Sequence, residues 1–202
     1  MTNLVRVLYG RRAALELVDL VRFPRPDPVP RWVPRAVVEA VLAQLRPGTK
    51  TEVRLRLMHW TGMRPSQMGR LQIEDFRLDE PIPYVVVPRG KFGRLAAVPL
   101  VEEGLAAAVD FIDRRAWGAW SCPSANKLLA AAATAADVEP FTVYQIRHSF
   151  SAALRRAGVD VADIQELYGH TDPRTTTIYA PPWLPRHLEA IGRLRPVAVP
   201  AA

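Results

Sequence analysis

Along most of this chain apolar residues recur at the three-and-four spacing of a helix face, and only one region suits strands. Residues 4–20 place Leu4, Leu8, Leu15 and Val18 at such spacing, which predicts an amphipathic first helix. Prolines at 24, 26, 28, 30 and 34 then exclude a helix and predict an extended, semi-stiff connector, which reads equally as a loop wrapping the same domain. Pro34 suits a first helical turn, and Val37, Val38, Val41, Leu42 and Leu45 continue at helical spacing up to Pro47-Gly48. Thr51 is the expected cap of a second helix that runs through Trp60 and stops at Gly62, and Pro65 opens a third, PSQMGRLQI. Residues 84–88 (YVVVP) and 95–100 (LAAVPL) read as two strands joined by RGKFGR, a hairpin with a basic tip. Helices resume over about 102–115 and 124–136.

The last third is the most clearly punctuated. Thr142 and Gln145 form a capping box before a helix to Arg156, closed by Gly158, which should bury Ile146, Phe150, Ala153, Leu154 and Ala157. Asp160 starts a short helix ended by Gly169, and Asp172-Pro173 starts another that ends near Tyr179. Beyond Trp183, LPRHLEAIGRL has the spacing of a short amphipathic tail helix. The expected fold is α+β, mostly helical with one small antiparallel sheet. Its parts are a helix and proline-rich linker over 1–29, a main domain over 30–180 and a tail over 181–202.

Composition narrows the partners. The formal net charge is +7 and the sequence pI about 10.2; three of the 27 basic residues are lysines and the other 24 arginines. The guanidinium fork suits phosphate oxygens, so the balance favours a polyanion, although many basic proteins bind nothing specific. Hydrophobic residues at 49% and charged residues at 23% argue against wholesale disorder. No apolar run reaches the roughly 20 residues needed to cross a bilayer. The start, MTNLVRVLYGRR, has no signal-peptide pattern, and the lone Cys122 excludes an internal disulfide, so a cytoplasmic location is expected.

Tyr144 and Arg147, three apart near the start of the 142–156 helix, share a face where partial positive charge and free backbone donors favour a phosphate. His170 follows a helix-ending glycine. Taken singly these residues read equally as a solvated charge and a turn residue. Together, YQIRHSFSAALRRAGVDVADIQELYGHTDPRTTTIYA resembles the signature of the tyrosine recombinases, the phage-integrase type, in which H-x-x-R-H, an AGVD-like boundary, I-Q-x-L-x-G-H and T-T-x-x-Y follow in order. Arg147, His170 and Tyr179 match, with His170 23 residues after Arg147 and Tyr179 nine after His170. Upstream, WTGMRPSQMGRLQIEDF resembles the box holding the first arginine, giving Arg64, and GKFGRLAAVPL the hairpin with the catalytic lysine, giving Lys91. The resemblance covers about residues 31–180.

That resemblance implies a recombinase catalytic domain acting on double-stranded DNA. Tyr179 would attack a phosphate and form a covalent phosphotyrosine, Arg64 and Arg147 would clamp the non-bridging oxygens, Lys91 would protonate the leaving sugar oxygen, and His170 would hydrogen-bond the phosphate. No cofactor is implied, and the sequence offers no metal-ligand cluster. Residues 1–29 resemble at most the last helix of the family's DNA-clamping domain. The tail is expected to pack on a neighbouring protomer, in a tetramer on DNA.

Two positions depart from the pattern. Tyr144 stands where the family has histidine; imidazole exchanges a proton near neutral pH and a phenol does not. Gln67 stands where an acidic residue usually follows the first arginine by three, so it can orient Arg64 only through neutral bonds. Both keep open a catalytically impaired DNA-binding or regulatory relative. A type IB topoisomerase-like enzyme shares the same chemistry, while a plain helix-turn-helix regulator leaves Lys91 and Tyr179 unexplained. His148 is read as a structural residue that satisfies backbone acceptors, and His59 as a core-edge residue.

Overall fold

The computed structural model describes residues 32–88, 96–167 and 184–194. The helix expected over 4–20, most of the proline-rich connector, the helix expected up to Tyr179, and Lys91, His170, Tyr179 and Trp183 lie outside them. The described elements are α1 (Arg35–Leu42), α2 (Lys50–Thr61), α3 (Pro65–Met68), a 3-10 turn (Ile73–Asp75), β1 (Phe76–Arg77), β2 (Tyr84–Val87), β3 (Ala96–Pro99), α4 (Glu102–Asp113), α5 (Cys122–Ala135), α6 (Val143–Arg156), α7 (Val161–Leu167) and α8 (Leu184–Gly192). The α+β class holds, with one small sheet.

α2 is the central helix, packed on α4 and α6, while α1 packs on α5 and α6. It is buried on nearly every side, with Val53, Leu55, Leu57 and Met58 all at zero exposure. Three charged or titratable residues go inside with them, each partnered as burial demands. Glu52 accepts from the Gly48 amide and from Arg56, which also reaches Asp110. Arg54 donates to the carbonyls of Ala116, Trp117, Gly118 and Ala119, so one side chain holds the loop after α4. His59 contacts Glu39 at 3.0 Å through Nε2, and Arg35, stacked 4.0 Å from the Trp60 ring centre, pairs with the same carboxylate. Burial pushes the His59 imidazole down, and lowers the Arg35 guanidinium to about 10.

The expected hairpin is the larger part of a three-stranded antiparallel sheet in the order β1-β2-β3. Tyr84 pairs with Pro99 and Val87 with Ala96, so residues 88–95 join the two long strands. Alternation gives Val85, Val87, Ala96 and Val98 to the main core and Tyr84 and Ala97 to a small second cluster. α7 and α8 both pack on β3.

Several boundaries differ from the sequence reading. The cap of α2 is Thr49, whose Oγ1 accepts from the Glu52 amide at 3.3 Å; Thr51 lies inside the helix. α3 ends after one turn at Met68, because Met68 and Leu71, both fully buried, are reached by turning the chain inward. β1, two residues long, follows the 3-10 turn and was not expected. α5 begins at Cys122, capped by Ser121. In α6 the Gln145 side chain accepts from the Thr142 amide at 3.0 Å as expected, and Ile146, Phe150 and Leu154 are buried, each contributing about 1.5–3 kcal/mol. Ala153 and Ala157 are only partly buried; Val143 and Ser149 complete the inner face.

In this single chain the tail helix packs on its own domain. Ala190, Ile191 and Leu194 join the core, His187 has no exposed surface, and Arg186 pairs with Asp163 of α7 at 2.9 Å. Burial, with Arg186 adding to it, pushes the His187 imidazole down to about 4.

Candidate active site

The site begins at a helix end. α2 stops at Gly62, which takes the left-handed conformation (φ 62°) and returns its amide to the Met58 carbonyl at 2.8 Å. That reversal leaves the Gly62 carbonyl facing α6, where Arg147 Nη1 donates to it at 2.5 Å. Two residues later Arg64 is the extended N-cap of α3 (φ −70°, ψ 147°). Arg147 thus reaches the turn that leads into Arg64, although the two arginines stand 83 positions apart in sequence. Both are partly exposed, as groups that meet a ligand must be.

Gln67 is 5% exposed and spends its amide in two directions. Its Oε1 accepts from the Arg64 backbone amide at 2.9 Å, and its Nε2 donates to the Pro88 carbonyl at 3.3 Å. Thr61, Gln67, Val87, Arg147 and Leu167 line one small hollow, so α2, α3, β2, α6 and α7 converge there. Pro88 is the last described residue before Lys91, and Leu167 the last before His170. Lys91, His170 and Tyr179 themselves lie outside the described residues.

Tyr144 sits on the first turn of α6 and is 52% exposed, the phenol in reach of solvent rather than buried. His148, one turn on, is also exposed, which corrects the expectation that it satisfies backbone acceptors. The buried polar position on that helix is Ser149, whose hydroxyl donates to the Gln145 carbonyl at 2.8 Å and accepts from the Val33 amide at 3.0 Å. With Arg156 stacked 3.9 Å from the Trp32 ring centre, Ser149 seats the strand that enters the domain. Gly62 was read only as a helix stop. Its place two residues before Arg64 was the available signal that its carbonyl belongs to the site.

Comparison with known proteins identifies the family. The profile of the phage integrase family matches residues 31–182. The chain is 27% identical over 183 residues to tyrosine recombinase XerA of Pyrococcus furiosus, covering 81% of this chain and 62% of that protein. It is 30% identical over 209 residues to tyrosine recombinase XerD of Mycobacterium tuberculosis, covering 87% and 66%. The solved integrase from mycobacterium phage Brujita aligns with a TM-score of 0.68 and 26% identity over 100% of this chain and 70% of that one. The chain spans about three fifths of the length of the curated relatives it matches. With the family profile covering three quarters of its length, the chain belongs to the phage integrase family.

Proposed function

We propose that the chain cleaves and rejoins double-stranded DNA at a specific site through a covalent phosphotyrosine. Arg64 and Arg147 bind the non-bridging oxygens of one phosphate, where charge builds as the bond breaks. The Tyr179 oxygen attacks phosphorus, the bond to the leaving sugar oxygen breaks, and Lys91 supplies the proton that oxygen takes up. His170 and Tyr144 donate hydrogen bonds to the same phosphate. Rejoining is the reverse attack by a sugar hydroxyl, so the phosphodiester energy is conserved in the tyrosyl ester. The observation that carries this reading is the bond from Arg147 to the Gly62 carbonyl, which holds one guanidinium beside the turn that bears the other. The names of the relatives, tyrosine recombinases and an integrase, support it.

On DNA the active unit is a tetramer in the cytoplasm, and α8 leaves β3 of its own chain to dock on a neighbour. The chemistry is tested by incubating the chain with a suicide DNA that carries its native attachment site, followed by a denaturing gel. The wild type should become covalently attached, and Tyr179→Phe should bind the same DNA without forming the adduct. An adduct with the Phe variant would place the nucleophile elsewhere, and none with the wild type would leave a DNA-binding relative without catalysis.

A further inference from the structure

Gln67 was expected to weaken the site because it replaces an acid. Its surroundings say otherwise. The side chain is shut from water at 5% exposure, and the two groups that face its amide differ in kind: one is a donor, the Arg64 N–H, and the other an acceptor, the Pro88 carbonyl. A primary amide answers both at once, with its oxygen toward the first and its nitrogen toward the second. A carboxylate keeps the first bond and turns a second oxygen against the Pro88 carbonyl, leaving two acceptors facing each other in a place water does not reach.

From this we infer that Gln67 is a positioning residue for Arg64, and that the acid usual at this position is the wrong residue for this chain. The inference rests on the recombinase reading. Arg64 caps a helix of one turn, too short to hold its own direction, and its carbonyl accepts from the amides of Gln67 and Met68 at 2.9 and 3.0 Å. The Gln67 side chain closes that turn from the other side and ties it to the end of β2 through Pro88. The backbone from which the Arg64 guanidinium projects is thereby fixed to both α3 and the sheet. Arg147 lines the same hollow, so a carboxylate at position 67 would also draw that guanidinium from the Gly62 carbonyl. One substitution would disturb both arms of the clamp.

The test is single-turnover cleavage of the suicide DNA by Gln67→Glu and Gln67→Met, in the wild-type and Arg64→Lys backgrounds. Met fills the same volume without either bond and carries no buried charge, so it tests the claim even where the Glu chain fails to fold. Each variant should cleave about tenfold or more slowly while DNA affinity changes less than about twofold, the loss expected of hydrogen bonds that orient a clamp acting in the transition state. In the Arg64→Lys background the same changes should cost less than about threefold, because coupled residues are not additive. Cleavage by Gln67→Glu at or above the wild-type rate, or equal losses in both backgrounds, would overturn the inference. A wild type that cleaves no DNA would sink the recombinase reading instead. Amide exchange at Arg64 then decides: acceleration of about tenfold in Gln67→Met supports the clamp, and unchanged exchange refutes it.

Discussion

Tyr144 shows how far a single residue can be read without its surroundings. The sequence marks it as a departure at a position where the rest of the pattern expects imidazole, and the structure leaves it half exposed on the opening turn of α6, one turn before Arg147. An exposed phenol there can donate a hydrogen bond to a phosphate, whereas imidazole is the side chain suited to exchanging a proton near neutral pH. Tyr144→His should therefore raise the cleavage rate between pH 6 and 8, by much less than the roughly 10²-fold of a full acid–base catalyst, since in the proposed mechanism Lys91 protonates the leaving oxygen. Overlapping pH–rate curves for the two proteins on one suicide substrate would show that position 144 takes no part in proton transfer. Gln67 is the opposite case. Read as a residue type it looks like a loss, and only the two groups facing it reveal why an amide stands there.

At the scale of elements, what was legible had a local cause. The capping box of α6, the Gly62 stop of α2 and the alternation in β2 and β3 depend on residues a few positions apart, and they stand where the pattern put them. What was missed had a distant cause. α2 buries Arg54 and His59, and in each case a partner far along the chain, the loop after α4 or Glu39 of α1, makes that possible. Arg54 is the plainest example: at 5% exposure it gathers four carbonyls of residues 116–119, where the chain passes through left-handed Arg115 (φ 49°) and Gly118 (φ 93°). Burial lowers the pKa of its guanidinium. Arg54→Met keeps most of the stem and removes the fork, and should cost about 2–4 kcal/mol of stability, since charged hydrogen bonds are lost and carbonyls are left facing apolar atoms. Denaturant unfolding measures it; a loss below about 0.5 kcal/mol would mean that the loop carbonyls are served as well by water. β1 was illegible for a third reason, because two residues carry no periodicity to read.

Over the whole molecule the net charge of +7 overstates what is turned outward. Arg35 and Arg54 are buried, and Arg56 is held by Glu52 and Asp110, so these cations serve the fold. Arg46, Arg70, Arg114, Arg155 and Lys127 are exposed, where a duplex could reach them, and Arg64 and Arg147 are partly exposed. Affinity for DNA should then fall steeply with salt, because each phosphate neutralised releases condensed counterions: about 10³-fold between 50 and 200 mM if roughly six are contacted. The slope, not the affinity, separates the two classes of arginine. Exposed cations that touch phosphate should each lower it by about one unit when changed to alanine, and Arg64→Ala should do the same. Arg54→Met should leave the slope as it is, because a side chain committed to four backbone carbonyls neutralises no phosphate and releases no counterions. Titrations of one labelled duplex at four salt concentrations would measure all of these slopes. A binding constant indifferent to salt would remove nucleic acid as the partner, and a slope that fell with Arg54→Met would mean that the carbonyl clamp opens on DNA.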